Sequence, residues 1–434
     1  MNLKHVSFLI LSVLFCLSFT AVSVPVYAQN DVYLSLSSKA SRASIGLSDF
    51  VPINGFYEEM NISRNFKEAL EADLILSRHF NVAAANSSYK FDLEAQFEYW
   101  ESKNVSVLLT GSLSIKDSTV LNVDVKLYDI ESQQLIWEDR YYENVNNYRY
   151  IAHKINDEVV KRLTGEEGVA CTKIAFINNS TKFKEIYVVD YDGHNLRRLT
   201  KDNRLNVLPK WVPESTQIIY TSYLYNNPDL FVIDILKNKR RALSTIQGLN
   251  SPASFSPDKK TLVTTLSRGV YPNLYLLDES GTVIRRLTEG KYIDTSPAFS
   301  PTGREIVFIS DRAGYPQIYI MDIEGGNLRR LSTKGNCDSP TWSPKGDKIA
   351  FTMKLEKTFD IFLYDLPKQR IVRLTKNQGN NENPTWSPDG RFIAFSSTRS
   401  GKSEIYIMGM DGTGERKLID MSGSSFTPSW SQGI

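Results

Sequence analysis

The sequence has little cysteine, little histidine and almost no net charge. Its 434 residues include 3 Cys and 4 His, and 51 basic against 49 acidic residues leave a net charge of +2. So few thiols and imidazoles, with no C-x-x-C pair, give little support for a zinc site or a disulfide framework. A balanced charge gives no global electrostatic attraction to nucleic acid, so no nucleic-acid partner is expected. With 41% hydrophobic and 23% charged residues, the composition is typical of a folded protein.

Long apolar runs are absent beyond the first segment. Residues 1–28 carry one charge, at Lys4, followed by an apolar run from Val6 to Val26. The segment ends in Val26-Tyr27-Ala28, which is similar to the small-residue cleavage site of a signal peptide. We therefore predict that residues 1–28 are a signal peptide, cleaved after Ala28, and that the exported protein does not insert into a membrane. The alternative is an uncleaved anchor.

The second half of the chain contains a repeat with a nearly constant period. Each copy has a proline, usually followed two residues later by an aromatic residue and then Ser-Pro, and the leading prolines lie 43 to 45 residues apart. These prolines are Pro209, Pro252, Pro297, Pro340, Pro384 and Pro428. Between them, apolar residues alternate with period two, as in Ile318 to Asp322, and this alternation indicates strands. Four short strands in about 44 residues are typical of a β-propeller blade.

The two ends of the repeat region complement each other. The region begins at Ile174-Ala175-Phe176 without an aromatic strand before it, and that strand recurs at Pro428 to Ser431 with nothing after it. The C-terminal strand can therefore complete the first blade, which leaves no free sheet edge. We predict an all-β six-bladed propeller over residues 174–434.

Residues 29–164 have a different pattern, which predicts an N-terminal α/β domain, and residues 165–173 are predicted to be a linker. Ser63 is a plausible cap for a helix that reaches His79, and Gly165 is a plausible end for a helix from Arg149 to Leu163. The other expected elements are a helix over residues 92–103, strands at 31–36 and from residue 43, and a meander of strands at 105–113, 120–128 and 134–142.

The junction between the two parts resembles a known family. The stretch from Tyr150 to Gly168, followed by Thr172-Lys-Ile-Ala-Phe176, resembles the junction helix of the TolB family, the periplasmic component of the Tol-Pal system. The order of signal peptide, α/β domain, junction helix and six blades matches this family over the whole chain. The first two blades depart from the Ser-Pro-Asp-Gly pattern at Val212-Pro213-Glu214 and Asp258-Lys-Lys260, which could alter one face locally.

The resemblance implies a non-enzymatic periplasmic scaffold without a cofactor. Its expected partners are the peptidoglycan-associated lipoprotein Pal, bound by the propeller, TolA, bound by the N-terminal segment, and other outer-membrane lipoproteins. The expected role is to support outer-membrane integrity and invagination during cell division. The N-terminal segment alternates and could extend a partner's sheet or fold back on its own domain. It consists of Asp31, Val32, Tyr33, Leu34, Ser35 and Leu36.

Propeller geometry narrows the surface that would bind Pal. The loop before each inner strand and the loop between the second and third strands lie on one face, around the channel mouth. Here these loops alternate acids with arginines, which suits a folded partner or an extended charged segment. The alternative is that the Asp and Ser residues only cap turns before proline. The residues of this surface are Asn250, Ser251, Asp294, Thr295, Asp311, Arg312, Asp338, Ser339, Glu382, Asn383 and Arg399.

The sequence allows four other interpretations. A propeller hydrolase or lyase is disfavoured because no G-x-S-x-G motif is present. Asp190 to Asn195 imitates the start of a calcium loop, but equivalent Asp, Asn and Gly residues in other blades favour hairpin turns. For His153, interdomain packing or hydrogen bonding is favoured over metal ligation. A carbohydrate-binding propeller would use the inner-strand tryptophans, which their regular spacing predicts to be core: Trp211, Trp342, Trp386 and Trp430.

Overall fold

The computed structural model describes residues 42–85 and 92–433. The predicted signal peptide and the segment from Asp31 to Leu36 lie outside these residues. The described chain consists of an α/β domain, here called the first domain, and six four-stranded sheets arranged as a propeller. No helix within these ranges is long and apolar enough to cross a membrane.

The first domain is built on one mixed sheet. Its elements are β1 (Ala43–Pro52), α1 (Tyr57–Ser77), β2 (Phe80–Ala84), α2 (Leu93–Glu101), β3 (Val107–Lys116), β4 (Val120–Asp129), β5 (Leu135–Asn144), a one-turn 3₁₀ helix (Val145–Asn147) and α3 (Tyr148–Thr164). The strand order is β2-β1-β3-β4-β5, with β1 parallel to both of its neighbours. Strands β3, β4 and β5 form the antiparallel meander that their alternating sequence predicted.

Helices cover both faces of this sheet. On one face, the stripe of Phe66, Leu70 and Leu74 on α1 packs in the same core as α3. On the other face, α2 places Trp100 against Gly46, where a Cβ would lie 2.6 Å from the indole ring. Helix α3 ends at Gly165, whose φ of 72° gives the left-handed cap that the sequence predicted.

The start of α1 differs from the sequence expectation. The helix begins at Tyr57, and Ser63 lies inside it, where its hydroxyl donates to the carbonyl oxygen of Phe50 instead of capping the helix. Glu59 in the first turn accepts backbone hydrogen bonds from Asn54 and Ile115, each at 3.0 Å. A buried acid near the positive end of the helix dipole therefore ties the start of α1 to the sheet.

The propeller has six sheets of four strands. In chain order its strands are β6 (Lys173–Asn178), β7 (Glu185–Asp190), β8 (Arg197–Arg198), β9 (Asn206–Trp211), β10 (Gln217–Ser222), β11 (Asp229–Asp234), β12 (Lys239–Ser244), β13 (Asn250–Phe255), β14 (Thr261–Leu266), β15 (Asn273–Asp278), β16 (Val283–Arg286), β17 (Asp294–Phe299), β18 (Glu305–Ser310), β19 (Gln317–Asp322), β20 (Arg329–Arg330), β21 (Asn336–Trp342), β22 (Lys348–Leu355), β23 (Thr358–Asp365), β24 (Arg370–Arg373), β25 (Asn381–Trp386), β26 (Phe392–Ser397), β27 (Glu404–Gly409), β28 (Arg416–Lys417) and β29 (Ser425–Trp430).

The first blade is assembled from both ends of the propeller, as predicted. Its strand order is β29-β6-β7-β8, and β29 runs antiparallel to β6, with Ser425 opposite Asn178 and Trp430 opposite Ile174. The indole nitrogen of Trp430 donates to Thr172 Oγ1 at 2.8 Å. The ring of blades is therefore closed by backbone pairing and by side-chain contacts next to the linker.

The aromatic residue of each inner strand packs between blades. Trp211 donates from its indole nitrogen to the carbonyl oxygen of Ser429 at 3.0 Å, and Trp386 donates to that of Thr341 at 3.2 Å. These contacts confirm the core role that the regular spacing of the tryptophans predicted. The six aromatic residues are only 6–8% exposed: Trp211, Phe255, Phe299, Trp342, Trp386 and Trp430.

The two blades that depart from Ser-Pro-Asp-Gly, which are the second and third of the closed ring, keep the inner hairpin turn. Lys259 has a positive φ of 63° at the position where Gly303 in the fourth blade has 69°, and Glu214, one position earlier in its own turn, has a φ of 42°. The ammonium group of Lys259 lies 3.4 Å from a carboxylate oxygen of Glu214. The local change is thus a strained non-glycine residue in each turn and an ion pair between them.

Candidate functional site: channel mouth and interdomain interface

The inner strands surround a central channel. Its cavity has a volume of about 400 Å³ and is lined largely by the proline, hydroxyl and aromatic residues of the repeated motif. The predicted Pal-binding surface lies at one end of this channel, where the inner strands begin. A hydrogen bond joins the two kinds of loop expected to form this surface. Asp311, in the loop after β18, accepts from the backbone of Ile293, in the loop before β17, at 2.9 Å.

Strained backbone recurs in the inner strands near this channel mouth. In five inner strands the residue before the leading proline has a positive φ, at the position where the strand forms a β-bulge. Such a conformation costs a non-glycine residue about 1–2 kcal/mol, and the following proline disfavours it further. Bulges of this kind re-aim side chains at the ends of strands. The residues are Leu208 (57°), Ser296 (53°), Ser339 (50°), Asn383 (56°) and Thr427 (45°).

Several of the predicted surface residues form a connected rim across neighbouring blades. Ser296 donates to Asp338 Oδ1 at 3.2 Å, and the amide of Asn383 donates to Ser339 Oγ at 3.0 Å. Asp338 is exposed, whereas Ser339, Glu382 and Asn383 are half-buried. The structure therefore brings these side chains together around the mouth in the blades that contain β17, β21 and β25.

Three of the predicted surface residues are buried and are therefore not accessible to a partner, contrary to the expectation from the sequence. Asn250 and Asp294 are 0% exposed, and Ser251 is 7% exposed. The amide of Asn250 donates to the carbonyl oxygens of Ile246 at 2.6 Å and Gly248 at 3.0 Å. For Asn250 the turn-capping alternative is the better one, because its amide satisfies backbone groups below the rim, whereas the buried carboxylate of Asp294 pairs with the Arg312 side chain. Thr295 and Asp311 are half-buried beside them.

The two arginines of the surface are held inside their blades. The Arg312 guanidinium lies 5.1 Å from the centre of the Tyr319 ring and 3.0 Å from Asp294. The Arg399 guanidinium lies 4.5 Å from the Tyr406 ring centre and is paired with Glu415. Their positive charges are therefore neutralised locally, and they brace the loops instead of standing free at the mouth.

The acids of the rim are not neutralised in this way. Among residues 42–85 and 92–433, no basic side chain forms an ion pair with Asp338 or Glu382. Burial, together with the charge of Asp338, raises the pKa of Glu382. The channel mouth is therefore acidic on this side, which differs from the expected alternation of acids and arginines.

A second cluster of polar residues lies where the first domain meets the propeller. His153 on α3 is within 2.6 Å of an Asp73 carboxylate oxygen on α1, and the Tyr191 hydroxyl of the propeller donates to the other oxygen at 2.6 Å. Asp192, in the turn after β7, pairs with Arg149 and lies 3.7 Å from His153 Nε2. The interdomain role expected for His153 is thus confirmed, but the sequence did not reveal its partners.

Protonation of His153 completes this cluster. Burial lowers the pKa of His153, but the hydrogen bond and charge of Asp73, with Asp192, outweigh burial and raise it above its usual value. Burial also raises the pKa of Asp73. Because Asp73 already accepts a hydrogen bond from Tyr191, we assign the proton of the pair to His153. The arrangement is then an ion-pair network between two carboxylates and a cationic imidazole.

The same cluster is the candidate metal centre of the described chain. Ligand atoms of Asp73, His153 and Asp192 lie within 4.8 Å of one another. However, Arg149 pairs with Asp192, and Arg416 donates to the carbonyl oxygen of Tyr191 at 2.8 Å. Arg149 and the protonated His153 already balance the two carboxylates, so the arrangement favours an interdomain ion-pair network over a cation site.

The calcium-like loop is likewise a hairpin turn. The backbone N–H of Gly193 donates to the carbonyl oxygen of Asp190 at 2.9 Å, which closes the turn between β7 and β8. The carboxylates of Asp190 and Asp192 are paired with Lys173 and Arg149. The carboxylate oxygens that would bind calcium are therefore used by basic side chains.

Further contacts fix the linker and the edge of the first domain. The Asp157 carboxylate on α3 accepts from the backbone of Ala170 at 2.8 Å and of Cys171 at 2.9 Å. At the end of α1, Arg78 donates to Thr413 Oγ1 at 2.8 Å. These bonds, with the buried cluster, join the linker and both domains into one continuous contact.

The fold and these contacts define a propeller protein in which a small α/β domain is fixed to the first and last blades. The model of the TolB β-propeller domain matches residues 160–338 and 332–433, and the model of the TolB amino-terminal domain matches residues 39–136. The chain therefore belongs to the TolB family.

Relatives and solved structures agree with this assignment. The chain is 35% identical over 225 residues to the Tol-Pal system protein TolB of Geobacter sulfurreducens, covering 50% of each chain. It is 33% identical over 232 residues to that of Desulfosudis oleivorans, covering 52% of this chain and 51% of the relative. The chain thus spans about half the length of the curated relatives it matches. The crystal structure of TolB from Acinetobacter baumannii has the same fold, with a TM-score of 0.76, 24% identity, and coverage of 90% of this chain and 97% of that chain.

Proposed function

We propose that this protein is a non-enzymatic periplasmic scaffold of the Tol-Pal system. In this proposal the channel mouth of the propeller binds the lipoprotein Pal, and the segment from Asp31 to Leu36 binds TolA. Through these contacts the protein supports outer-membrane integrity and invagination during cell division. Membership of the TolB family, whose curated relatives are Tol-Pal system proteins, supports the choice of partners.

One observation carries the choice of surface. Asp338 and Glu382 lie on a rim of strained backbone, and the described residues offer neither of them an ion-pair partner. Positive φ values at non-glycine positions often accompany binding sites, where a surrounding fold holds the strain. An acidic rim whose carboxylates form no ion pair favours a basic segment of the partner, because opposite potentials steer and orient association. We therefore expect a basic part of Pal to lie over these two acids.

Charge reversal tests this surface. We expect the double variant Asp338→Lys, Glu382→Lys to bind purified Pal at least about 10-fold more weakly, mainly because association is slower. Added salt should slow association of the native protein with Pal but should not slow that of the variant. The matched control is Glu279→Lys, an exposed acid in the turn between β15 and β16, away from the rim. Biolayer interferometry at two ionic strengths gives both rate constants. Unchanged Pal affinity in the double variant would exclude the rim as the binding surface.

Deletion tests the second partner. A chain lacking residues 29–36 should lose affinity for TolA and keep its affinity for Pal, because the alternating segment is expected to add a strand to a TolA sheet. A chain with Tyr33→Ala and Leu34→Ala keeps the length of the segment and should weaken TolA binding as well. If the deleted chain retains full TolA affinity, the TolA site lies elsewhere.

A further inference from the structure

The central channel contains one basic side chain among small residues. In each of the six blades, the residue just before the aromatic residue of the inner strand lies opposite the equivalent residue of the second strand. Five of these residues are small, and the remaining one is a lysine. In order around the ring they are Lys210, Ser254, Ala298, Thr341, Thr385 and Ser429.

The ammonium group of Lys210 has no partner among the described residues. None of them accepts a hydrogen bond from it or forms an ion pair with it, although Lys210 lines the channel and is half-buried. Burial lowers the pKa of this lysine, and the charge of Asp338 only partly opposes the shift. A long, cationic side chain is costly to hold in such a place without an ion-pair or hydrogen-bond partner. An anion in the channel would supply that charge.

The neighbours of Lys210 on both sides add hydrogen-bond donors. Ser429 Oγ accepts from the backbone of Trp211 at 3.2 Å, and Ser254 Oγ accepts from the backbone of Phe299 at 3.2 Å. Each hydroxyl therefore uses its oxygen as an acceptor, and its proton has no acceptor within the described chain. A hydroxyl in this state can donate to a ligand.

We propose that the propeller channel binds one small anion, a carboxylate or an inorganic oxyanion, at Lys210 with the hydroxyls of Ser254 and Ser429 as further donors. An ammonium group and two hydroxyls match the acceptor-only character of such an anion, and no carboxylate occupies the same level of the ring. The cavity of about 400 Å³ has room for the anion with several waters. This inference is independent of the proposed partners, because it concerns a ligand inside the channel.

Titration of the whole protein with defined anions tests the site. The protein, labelled with ¹³C on lysine, is titrated at constant ionic strength with phosphate, with succinate, and with a short capped peptide carrying one Glu. The signal of Lys210 is assigned by its absence in Lys210→Met. We expect a saturable shift of this signal and a rise in the pKa of Lys210. Binding of phosphate alone points to a free oxyanion, and binding of the peptide, but not of its Gln version, points to a side-chain carboxylate.

Variants separate a specific site from general charge effects. By calorimetry, Lys210→Met should weaken binding at least about 10-fold, as expected for loss of a charge-assisted hydrogen bond. Lys239→Met, which removes an exposed lysine on an outer strand, should leave binding unchanged. Lys210→Arg should retain binding, which guards against a folding defect in the Met variant. The proposal is overturned if no anion shifts the Lys210 signal at millimolar concentration, or if Lys210→Met binds as the native protein does.

Discussion

The substitution Asp73→Asn probes the contact between the first domain and the propeller. Asp73 is 0% exposed and accepts two hydrogen bonds of 2.6 Å, from His153 in its own domain and from Tyr191 across the interface. Removing one member of a buried ion pair costs about 3–5 kcal/mol. An asparagine can still accept one of the two hydrogen bonds, so we expect the free energy of unfolding to fall by about 2–4 kcal/mol.

Urea unfolding followed by circular dichroism at 222 nm measures this loss. All three α-helices of the described chain belong to the first domain, so this signal reports on that domain. The matched control is Glu68→Gln on the exposed side of the same helix, which should change stability by less than about 0.5 kcal/mol. If Asp73→Asn is no less stable than this control, the buried cluster does not stabilise the interface and the reasoning fails.

Three other properties can be checked on the same protein. Because the folded-state pKa of His153 is raised, the stabilisation by its protonated form is complete below about pH 6.5 and is lost as the pH rises through the folded-state pKa. The urea midpoint of the native protein should therefore decrease as the pH is raised, whereas that of His153→Gln should not. Lys259→Gly should raise the free energy of unfolding by about 0.5–1 kcal/mol, because glycine removes the strain at a φ of 63°; an unchanged urea midpoint would contradict this. Burial raises the pKa of Cys337 to about 11 and also raises that of Cys171, so neither thiol should react with DTNB at pH 8 until urea is added.

The repeat made most of the propeller predictable. A constant spacing of prolines and a period-two alternation report local structure, and the unmatched ends at Ile174 and Trp430 revealed the closure. Helix α3 was predictable for a similar reason, because its apolar stripe and its terminal Gly165 are close in sequence. Features of this kind depend on neighbours within one blade or one helix.

The remaining features depend on contacts between distant parts of the chain. Asp73 and His153 are 80 residues apart, and Asp73 and Tyr191 are 118 apart, so no local pattern indicates that they meet. Asn250 and Asp294 were assigned to the surface because the loops before the inner strands border the channel mouth, but both side chains are fully buried. The start of α1 was missed because Glu59 is fixed by Ile115, a residue of the sheet, and not by a cap in its own sequence.

The closed first blade also sets an order of events during synthesis. Strand β6 pairs with β29, whose residue Ser425 lies 247 positions after Asn178 in the chain. Until that late segment has been made, β6 presents an unpaired edge, while every residue of the first domain has long been available to fold. Contacts of such sequence separation form slowly and leave edges open to aggregation in the meantime. A nascent or prematurely terminated chain would therefore carry a folded first domain beside an open ring, a species that chaperones and proteases can recognise by its exposed strand.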